Sequence, residues 1–375
     1  MNRKDFIKVC SLLGISIPAM GLISSCTSQE KDQNSNQSSK NNTEVLIIGA
    51  GAAGLSAAYL LKKQGIGVKI LEAKEDFGGR MMVDKSFTDF PLNYGAEWLS
   101  NEGWQKDELQ KIADKPDAEL NNKLFNDFPD QKFYKYSWYD FFKDYIINNL
   151  KNDIEYKAIV SQIDYHGEKV KATTENGTVY TAEKLIVTTP PSVLKSKKIA
   201  FLPALPKNKL DALDKLNCWG GFRAYVKLKA AIGCDWEEVA YNLHGQKIYY
   251  NASYKQDSSN HIVGVIAIGS YADAYHLNQQ DLKNHILKEL DAKYNNKATP
   301  NFLDLTYHNW DKDPYALGSY VSDFQPSTDF ENLNNHIDNK LFFAGDSYTN
   351  GKQYGKVHIA AQSAKIAVAE ILEIS

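Results

Sequence analysis

Val45-Leu46-Ile47-Ile48-Gly49-Ala50-Gly51-Ala52-Ala53-Gly54 decides the fold. Its first four residues are a continuous run of β-branched and aliphatic side chains, the pattern of a strand buried on both faces. The run leads directly into three glycines whose spacing has a mechanical reading. Gly49 permits a tight turn, Gly51 lets backbone approach a pyrophosphate, and Gly54 allows the following helix to pack closely on the sheet. The N-terminus of that helix then faces the phosphates. Ala52, Ala53, Ser56, Ala57 and Ala58 carry the helix toward Gln64, and Gly65 stops it. A second strand, Val68-Lys69-Ile70-Leu71, ends at Glu72, which lies 23 positions after Gly49. A carboxylate there suits ribose hydroxyls. A glycine triplet alone is weak evidence, but strand, glycines, helix, strand and acid in this order predict a dinucleotide-binding α/β unit.

The chain around this unit has 375 residues, 43% hydrophobic and 24% charged, with a formal net charge of -3. A charge so near zero supplies no broad positive field, and no long run of Lys or Arg occurs, so nucleic acid is excluded as an expected partner. The length suits two or three domains, since single cores stop growing at roughly 250–300 residues. Four cysteines, Cys10, Cys26, Cys218 and Cys234, cannot form a disulfide framework for a chain this long. Beyond the leader, no run of about 20 apolar residues is present to span a membrane.

The N-terminal end reads as an address and a tether. Arg3, Lys4 and Lys8 precede an apolar stretch from Ser11 to Ile23, as in a secretory signal. Leu22-Ile23-Ser24-Ser25-Cys26 resembles a bacterial lipobox, which implies lipidation of Cys26 after cleavage. Asn2-Arg3-Lys4-Asp5-Phe6 resembles a twin-arginine signal with Lys4 in place of the second arginine. Residues 27–43 hold four Ser, four Asn and three Gln and no apolar side chain, so they read as a flexible tether. The expectation is a protein held by lipid at a bacterial envelope, facing the periplasm or the exterior, with its folded part starting near Glu44.

Five further blocks carry a resemblance. Glu72-Ala73-Lys74-Glu75-Asp76-Phe77-Gly78-Gly79-Arg80 and Asn93-Tyr94-Gly95-Ala96-Glu97-Trp98 follow the first unit. Leu185-Ile186-Val187-Thr188-Thr189-Pro190 lies far downstream, with Phe201, Pro203, Leu205 and Pro206 beyond it. Trp310-Asp311-Lys312-Asp313-Pro314-Tyr315-Ala316-Leu317-Gly318-Ser319-Tyr320 comes next. Leu341-Phe342-Phe343-Ala344-Gly345-Asp346, followed by Val357-His358 and Ala360, closes the series. In this order they resemble the flavin-containing amine oxidase superfamily, which includes monoamine and polyamine oxidases. The resemblance implies an FAD-binding Rossmann-like α/β domain with a second, mixed-sheet substrate domain. FAD would be held by Gly49, Gly51, Ala53, Gly54, Glu72, Ala73, Gly79, Arg80, Gly95, Ala96, Glu97, Trp98, Thr189, Pro190, Trp310, Tyr315, Gly345, Asp346, Val357 and Ala360, with Val160 meeting the adenine. Ser319 stands where some relatives carry a flavin-linking cysteine, so the FAD is expected to be non-covalent.

The domain reading places FAD-binding parts at 44–98, 153–205 and 338–375, a reduced helical segment at 99–152 and the substrate domain at 206–337. Residues 159–188 alternate as strands, with a hairpin signal at Glu175-Asn176-Gly177. Residues 222–229, 236–251, 261–269 and 302–309 read as strands and 279–294 as a helix. The segment from Asp140 to Leu150 also looks helical. The aromatic stretch Phe133-Tyr134-Lys135-Tyr136-Ser137-Trp138-Tyr139 reads as core packing ahead of a substrate gate.

At the flavin, the resemblance gives Tyr320 as one wall of an aromatic cage and puts Arg223 where relatives have a flavin-facing lysine. Arginine is not equivalent to lysine, since it presents a planar fork suited to a carboxylate. A shifted alignment would put Lys227 there instead, leaving Arg223 as a surface strand charge. Lys356 falls at the second cage wall, with Tyr354 two positions away. His308 and His358 read as structural, and no metal-ligand spacing occurs. Cys218 and Cys234 are left open between a disulfide and two thiols. The function expected is oxidation of an amine or amino acid by hydride transfer to FAD, with O2 or another electron acceptor taking the electrons. The alternatives are a carbon desaturase or dehydrogenase and a redox or binding module with little turnover.

Overall fold

The computed structural model describes residues 42–99, 124–125, 131–322, 324, 330–349 and 355–374, and residues 42–375 form one compact unit. In chain order the first elements are β1 (Asn42–Ile48), α1 (Ala52–Lys63), β2 (Val68–Leu71), β3 (Val83–Asp84), β4 (Leu92–Asn93), β5 (Trp98–Leu99), β6 (Leu124–Phe125) and β7 (Gln131–Phe133). Next come α2 (Trp138–Tyr145), β8 (Ile154–Glu155), β9 (Val160–Asp164), β10 (Val170–Thr174), β11 (Val179–Val187), α3 (Pro191–Lys195), β12 (Ala200–Leu202) and α4 (Lys207–Lys215). The remainder is β13 (Gly221–Leu228), β14 (Trp236–Asn242), β15 (Gly245–Asn251), β16 (His261–Gly269), α5 (Gln279–Lys293), α6 (Ala298–Asn301), β17 (Phe302–Asn309), α7 (Phe330–Asn334), β18 (Leu341–Phe343) and α8 (Val357–Ile374).

Among the described residues, an eight-stranded sheet runs β12-β9-β10-β11-β1-β2-β8, with β18 also paired to β11. β1 lies between β2 and β11, parallel to both, with Ile48 opposite Leu71 and Val187. Its side chains are buried on both faces, as the apolar run requires. Val45 and Ile47 pack with Leu55 and Ala58 of α1, Phe141 and Phe142 of α2 and Ala361 and Ala364 of α8. Leu46 and Ile48 pack on the other side with Ile163, Val170, Leu185 and Leu213. Each such aliphatic side chain contributes about 1.5–3 kcal/mol by leaving water. β9, β10 and β11 form an antiparallel meander turning at Glu175-Asn176-Gly177.

The second sheet is antiparallel, in the order β14-β15-β16-β13-β17. Strand alternation sorts its residues into two faces. Phe222, Ala224, Val226, Val263 and Val265 meet Leu282, Ile286 and Leu290 of α5. That helix starts where Asn278 accepts the Asp281 N–H at 3.1 Å. Tyr225, Ile248, Tyr250, Ile266 and Ile268 turn the other way, toward Tyr94, Trp219 and Trp310.

The differences from the sequence reading have local causes. β1 starts at Asn42, two residues before Glu44, because Asn42 and Thr43 continue the parallel pairing opposite Thr181 and Ala182. The helix expected from Asp140 starts at Trp138, since the Ser137 hydroxyl accepts the Asp140 N–H at 3.1 Å. It ends at Tyr145 and is followed by a separate 3-10 turn at Ile147–Asn149. Residues 236–251 are a hairpin of two strands. The segment expected to be helical between 99 and 152 also contributes β6 and β7, with β7 paired to β5 on one side and to β6 on the other in a three-stranded sheet. In the aromatic stretch Phe133, Tyr136 and Trp138 are buried, with edge-on ring contacts of 5.1–5.4 Å, so it is core. Cys218 and Cys234 are separate free thiols. Among the described residues no helix is long and apolar enough to cross a membrane. Cys26, the leader and nearly all of the tether lie outside the described residues.

Candidate active site

The β1–α1 turn builds a cradle from backbone. Gly49 has φ +102°, a conformation that side-chain-bearing residues rarely adopt. A Cβ on Gly54 would sit 2.0 Å from the Gly49 carbonyl, so α1 can start this close to the strand only with glycine there. Nothing lies within 4 Å of where a Gly51 Cβ would be, which leaves its backbone open to a ligand. Glu72 at the end of β2 accepts the Ala50 N–H at 2.6 Å and the Lys74 N–H at 2.8 Å. Burial raises its pKa against those hydrogen bonds. The Gly78 N–H donates to the Ala50 carbonyl at 2.8 Å, bringing the Gly79-Arg80 turn against the cradle. Arg80 donates to Asp346 at 2.6 Å and to the Ser319 carbonyl. Gly95 is forced by the same turn, since a Cβ there would meet the Arg80 carbonyl at 1.9 Å. Trp310 is fixed by donating from Nε1 to the Tyr94 carbonyl at 2.8 Å.

A cavity of about 790 Å³ begins at this cradle and extends over the inner face of the antiparallel sheet. Every residue that the sequence reading assigned to cofactor or catalysis lines it, except Gly54, which acts through packing. Val160, Thr189, Pro190, Tyr315, Gly345, Asp346, Val357 and Ala360 line the cradle part. The Thr189 hydroxyl is buried without a protein partner and lines the cavity, so it is available to a polar ligand. An open glycine turn, a carboxylate at the end of β2 and an unpartnered hydroxyl fit a dinucleotide such as FAD. Lys74, which donates to Asp313, also lines this part and was not anticipated.

The other part centres on Arg223, which is 6% exposed and therefore not a surface charge. Its Nη1 donates to the Asn93 carbonyl at 2.7 Å and to Glu97 at 2.8 Å. Glu97 also receives the Tyr250 hydroxyl at 2.6 Å and pairs with the buried Lys132 at 2.8 Å. Burial opposes the charge on Glu97, but Lys132 and Arg223 outweigh it and hold the carboxyl below its ordinary range. Burial lowers Lys132 in turn, with Glu97 opposing. Both carboxylate oxygens of Glu97, which the resemblance assigned to the cofactor, are thus engaged within the protein, Oε2 by Arg223 and Tyr250 and Oε1 by Lys132. Lys227 instead reaches the Phe87 carbonyl, with its ammonium 4.2 Å from the Phe87 ring centre, and does not line the cavity. Tyr320 lines the cavity and meets Trp219 edge-on at 5.9 Å. Lys356 lines it too, while Tyr354 lies outside the described residues. Trp98 packs edge-on against Trp236 at 5.4 Å and Tyr250 at 5.3 Å.

Trp236, Glu238, Tyr241, Gln246, Ile248, Ile266 and Ile268 also line this part and were missed. Their alternation was visible, but nothing in a single strand says which face meets a cavity. Lys132 was missed because its partner is remote in sequence. His308 lies 3.3 Å from Asp313 and edge-on to Trp310. His358 is buried, and its pKa is lowered to about 4, by desolvation first and Lys356 second. Asp273, His276 and Asp311 come together at the surface, with His276 and Asp311 paired at 2.8 Å. Sequence spacing did not show this grouping.

A parallel dinucleotide-binding sheet joined through one cavity to an antiparallel sheet defines an α/β flavoprotein of the amine oxidase type. The comparisons agree. The pattern of the flavin containing amine oxidoreductase family matches residues 139–372, and an NAD(P)-binding Rossmann-like domain matches residues 47–115. The chain belongs to the flavin containing amine oxidoreductase family. It is 23% identical to human lysine-specific histone demethylase 2 over 82% of this chain and 50% of that protein. It is 24% identical to Arabidopsis thaliana polyamine oxidase 2 over 86% of each. The chain thus spans half the length of the first relative. Among solved structures, cyclohexylamine oxidase from Brevibacterium oxydans IH-35A superposes with a TM-score of 0.69 at 13% identity, covering 88% of this chain and 99% of that one. A putrescine oxidase variant gives 0.67 at 14% identity, covering 89% and 99%. These two likenesses concern the fold.

Proposed function

We propose that this protein oxidises an amine, using a non-covalently bound FAD and dioxygen or another electron acceptor. One observation carries the reading: a single cavity connects a dinucleotide cradle to a desolvated wall formed by Arg223, Tyr320 and the isoleucines of the antiparallel sheet. Bound there, FAD supplies the capacity to accept a hydride from the carbon next to the amine. The chain's own residues bind, orient and exclude water. The glycine turn and helix α1 would receive the pyrophosphate, Glu72 the ribose, and Thr189 a polar edge of the cofactor. Trp310 and Tyr315 line the same cavity, and Tyr320 with Lys356 would bound the substrate space. Among the described residues no cysteine lines the cavity, and Ser319 donates to the Trp219 and Gly220 carbonyls, in keeping with a cofactor held without a covalent link.

The test starts from the visible spectrum of the purified protein, followed by anaerobic mixing with a panel of amines and then admission of air. Bleaching of the flavin and release of peroxide are expected. A bound flavin that no amine bleaches would overturn the reading in favour of a carbon dehydrogenase. The lipobox-like Leu22–Cys26 and the polar tether support a further proposal, attachment by lipid to a bacterial envelope. Partition of the full chain into detergent, lost on Cys26→Ser, checks it.

A further inference from the structure

The inner face of the antiparallel sheet carries a row of directly opposed residues. Glu238 on β14 faces Ile248 on β15, Ile248 faces Ile266 on β16, and Ile266 faces Arg223 on β13. Opposed residues of a ladder share a face, and all four line the cavity. With neighbouring strands about 4.8 Å apart, three intervals separate the Glu238 and Arg223 backbones by about 14 Å. The cavity floor therefore runs from an anion on the edge strand, across two isoleucines, to a buried cation. Gln246 donates to Glu238 at 3.4 Å, and Trp236 and Tyr241 of the same strand as Glu238 also line the cavity.

The inner end is positive despite Glu97. That carboxylate is shared between Arg223 and Lys132, so two buried cations face one buried anion. Both N–H groups of Nη1 are engaged by Asn93 and Glu97. A guanidinium carries five such donors; the Tyr225 hydroxyl is a further partner of this one, and for the donors left over a carboxylate is the group that matches the fork. Lys356 adds another cation to the cavity wall. This arrangement disfavours a simple ammonium at the inner end and favours one accompanied by a carboxylate.

We infer, resting on the amine-oxidising reading above, that the substrate is an α-amino acid whose side chain ends in a cation. Arg223 takes the α-carboxylate, Glu238 takes the distal ammonium or guanidinium, and the two isoleucines underlie the aliphatic stem. The spacing, shortened by the reach of both side chains, suits a molecule the size of extended lysine or arginine. Lys132 is a positioning residue that acts on Arg223 through Glu97. With FAD bound to take the hydride, the α-carbon would give up that hydride and the nitrogen a proton to solvent. The imino acid then takes water to become a 2-oxo acid and ammonium, and dioxygen takes the two electrons as hydrogen peroxide.

The holoenzyme is assayed with lysine, arginine, norleucine and 1,5-diaminopentane, and binding is titrated with α-methyl-lysine, which has no α-hydrogen to transfer. Lysine or arginine is expected to exceed the diamine at least about a hundredfold in kcat/KM, since the diamine leaves Arg223 without its anion. In Glu238→Gln the lysine-to-norleucine ratio of kcat/KM falls about fivefold or more, mainly through KM, as for loss of a partly exposed ion pair. Lys132→Met weakens α-methyl-lysine binding, and Lys132→Arg restores it. Oxidation of the diamine as fast as lysine, or a ratio unmoved by Glu238→Gln, overturns this inference and leaves amine oxidation standing. A flavin bleached by no compound sinks both. Glu238 sits on an exposed edge, so its variant keeps the question decidable should Lys132→Met fail to fold.

Discussion

The cradle and the sheet floor recognise by opposite means. The cradle works through backbone: Gly49, Gly51, Gly54 and Gly95 are defined by what they lack, and their neighbours in space are mostly neighbours in sequence. The floor works through side chains from four strands of the antiparallel sheet, and Arg223 among them is held by Asn93, Glu97 and, indirectly, Lys132. A backbone site shared by every dinucleotide must be locally encoded, whereas a substrate site can be redrawn one side chain at a time. Substitutions in the cradle should accordingly act all-or-none, and those in the floor by degrees.

The sharpest way to break this contrast is Gly54→Val, whose side chain would have to overlap the Gly49 carbonyl. Bound flavin per mole of protein, read from the visible spectrum, should drop at least tenfold. A variant that stays fully loaded would show that the turn tolerates a Cβ.

On the floor side, Glu97→Gln leaves Lys132 and Arg223 buried without their shared anion. A loss of about 3–5 kcal/mol in urea unfolding is expected. Adding Lys132→Met should recover part of it, because one of the two orphaned charges is removed.

Trp138→Ala tests the aromatic stretch as core. It should cost about 3–5 kcal/mol, while leaving KM for an accepted substrate within about twofold, since Trp138 does not line the cavity. A large KM change with little loss of stability would restore the gate reading.

The smallest effect expected is at His358. Its folded pKa of about 4 lies below the ordinary 6.5, so between these values the unfolded chain binds more protons than the folded one. Stability therefore falls as pH drops through about 6.5 and stops falling from this source near about 4. His358→Asn should flatten that part of a urea-unfolding series against pH.

Legibility tracked the same contrast. The strand, glycines, helix and Glu72 were readable because each needs only a local property, such as an apolar run, a missing Cβ or a helix start. The second sheet's strands were also readable, apart from the split of 236–251 by its turn. The roles within that sheet were not. Arg223 read equally well as a surface charge, because its burial comes from residues remote in sequence, among them Asn93, Glu97 and Tyr250. Lys227, four residues further along β13, has the same strand parity, and only packing against Phe87 removes it from consideration. Lys132 gave no signal, since a lysine beside an aromatic run looks like any solvated charge until the chain folds it against Glu97.

The sequence by itself determined the dinucleotide unit, the order of the family's blocks and the alternation of both sheets, because these follow from steric and hydrophobic rules acting within a few residues. Only the tertiary structure decided which face of the antiparallel sheet meets the cavity, that Glu97 joins two cations, and that Glu238 and Arg223 end one row across the floor. Register and burial bring together residues from 93 to 250, and charges so far apart in the chain acquire a common meaning only when the same low-dielectric interior encloses them.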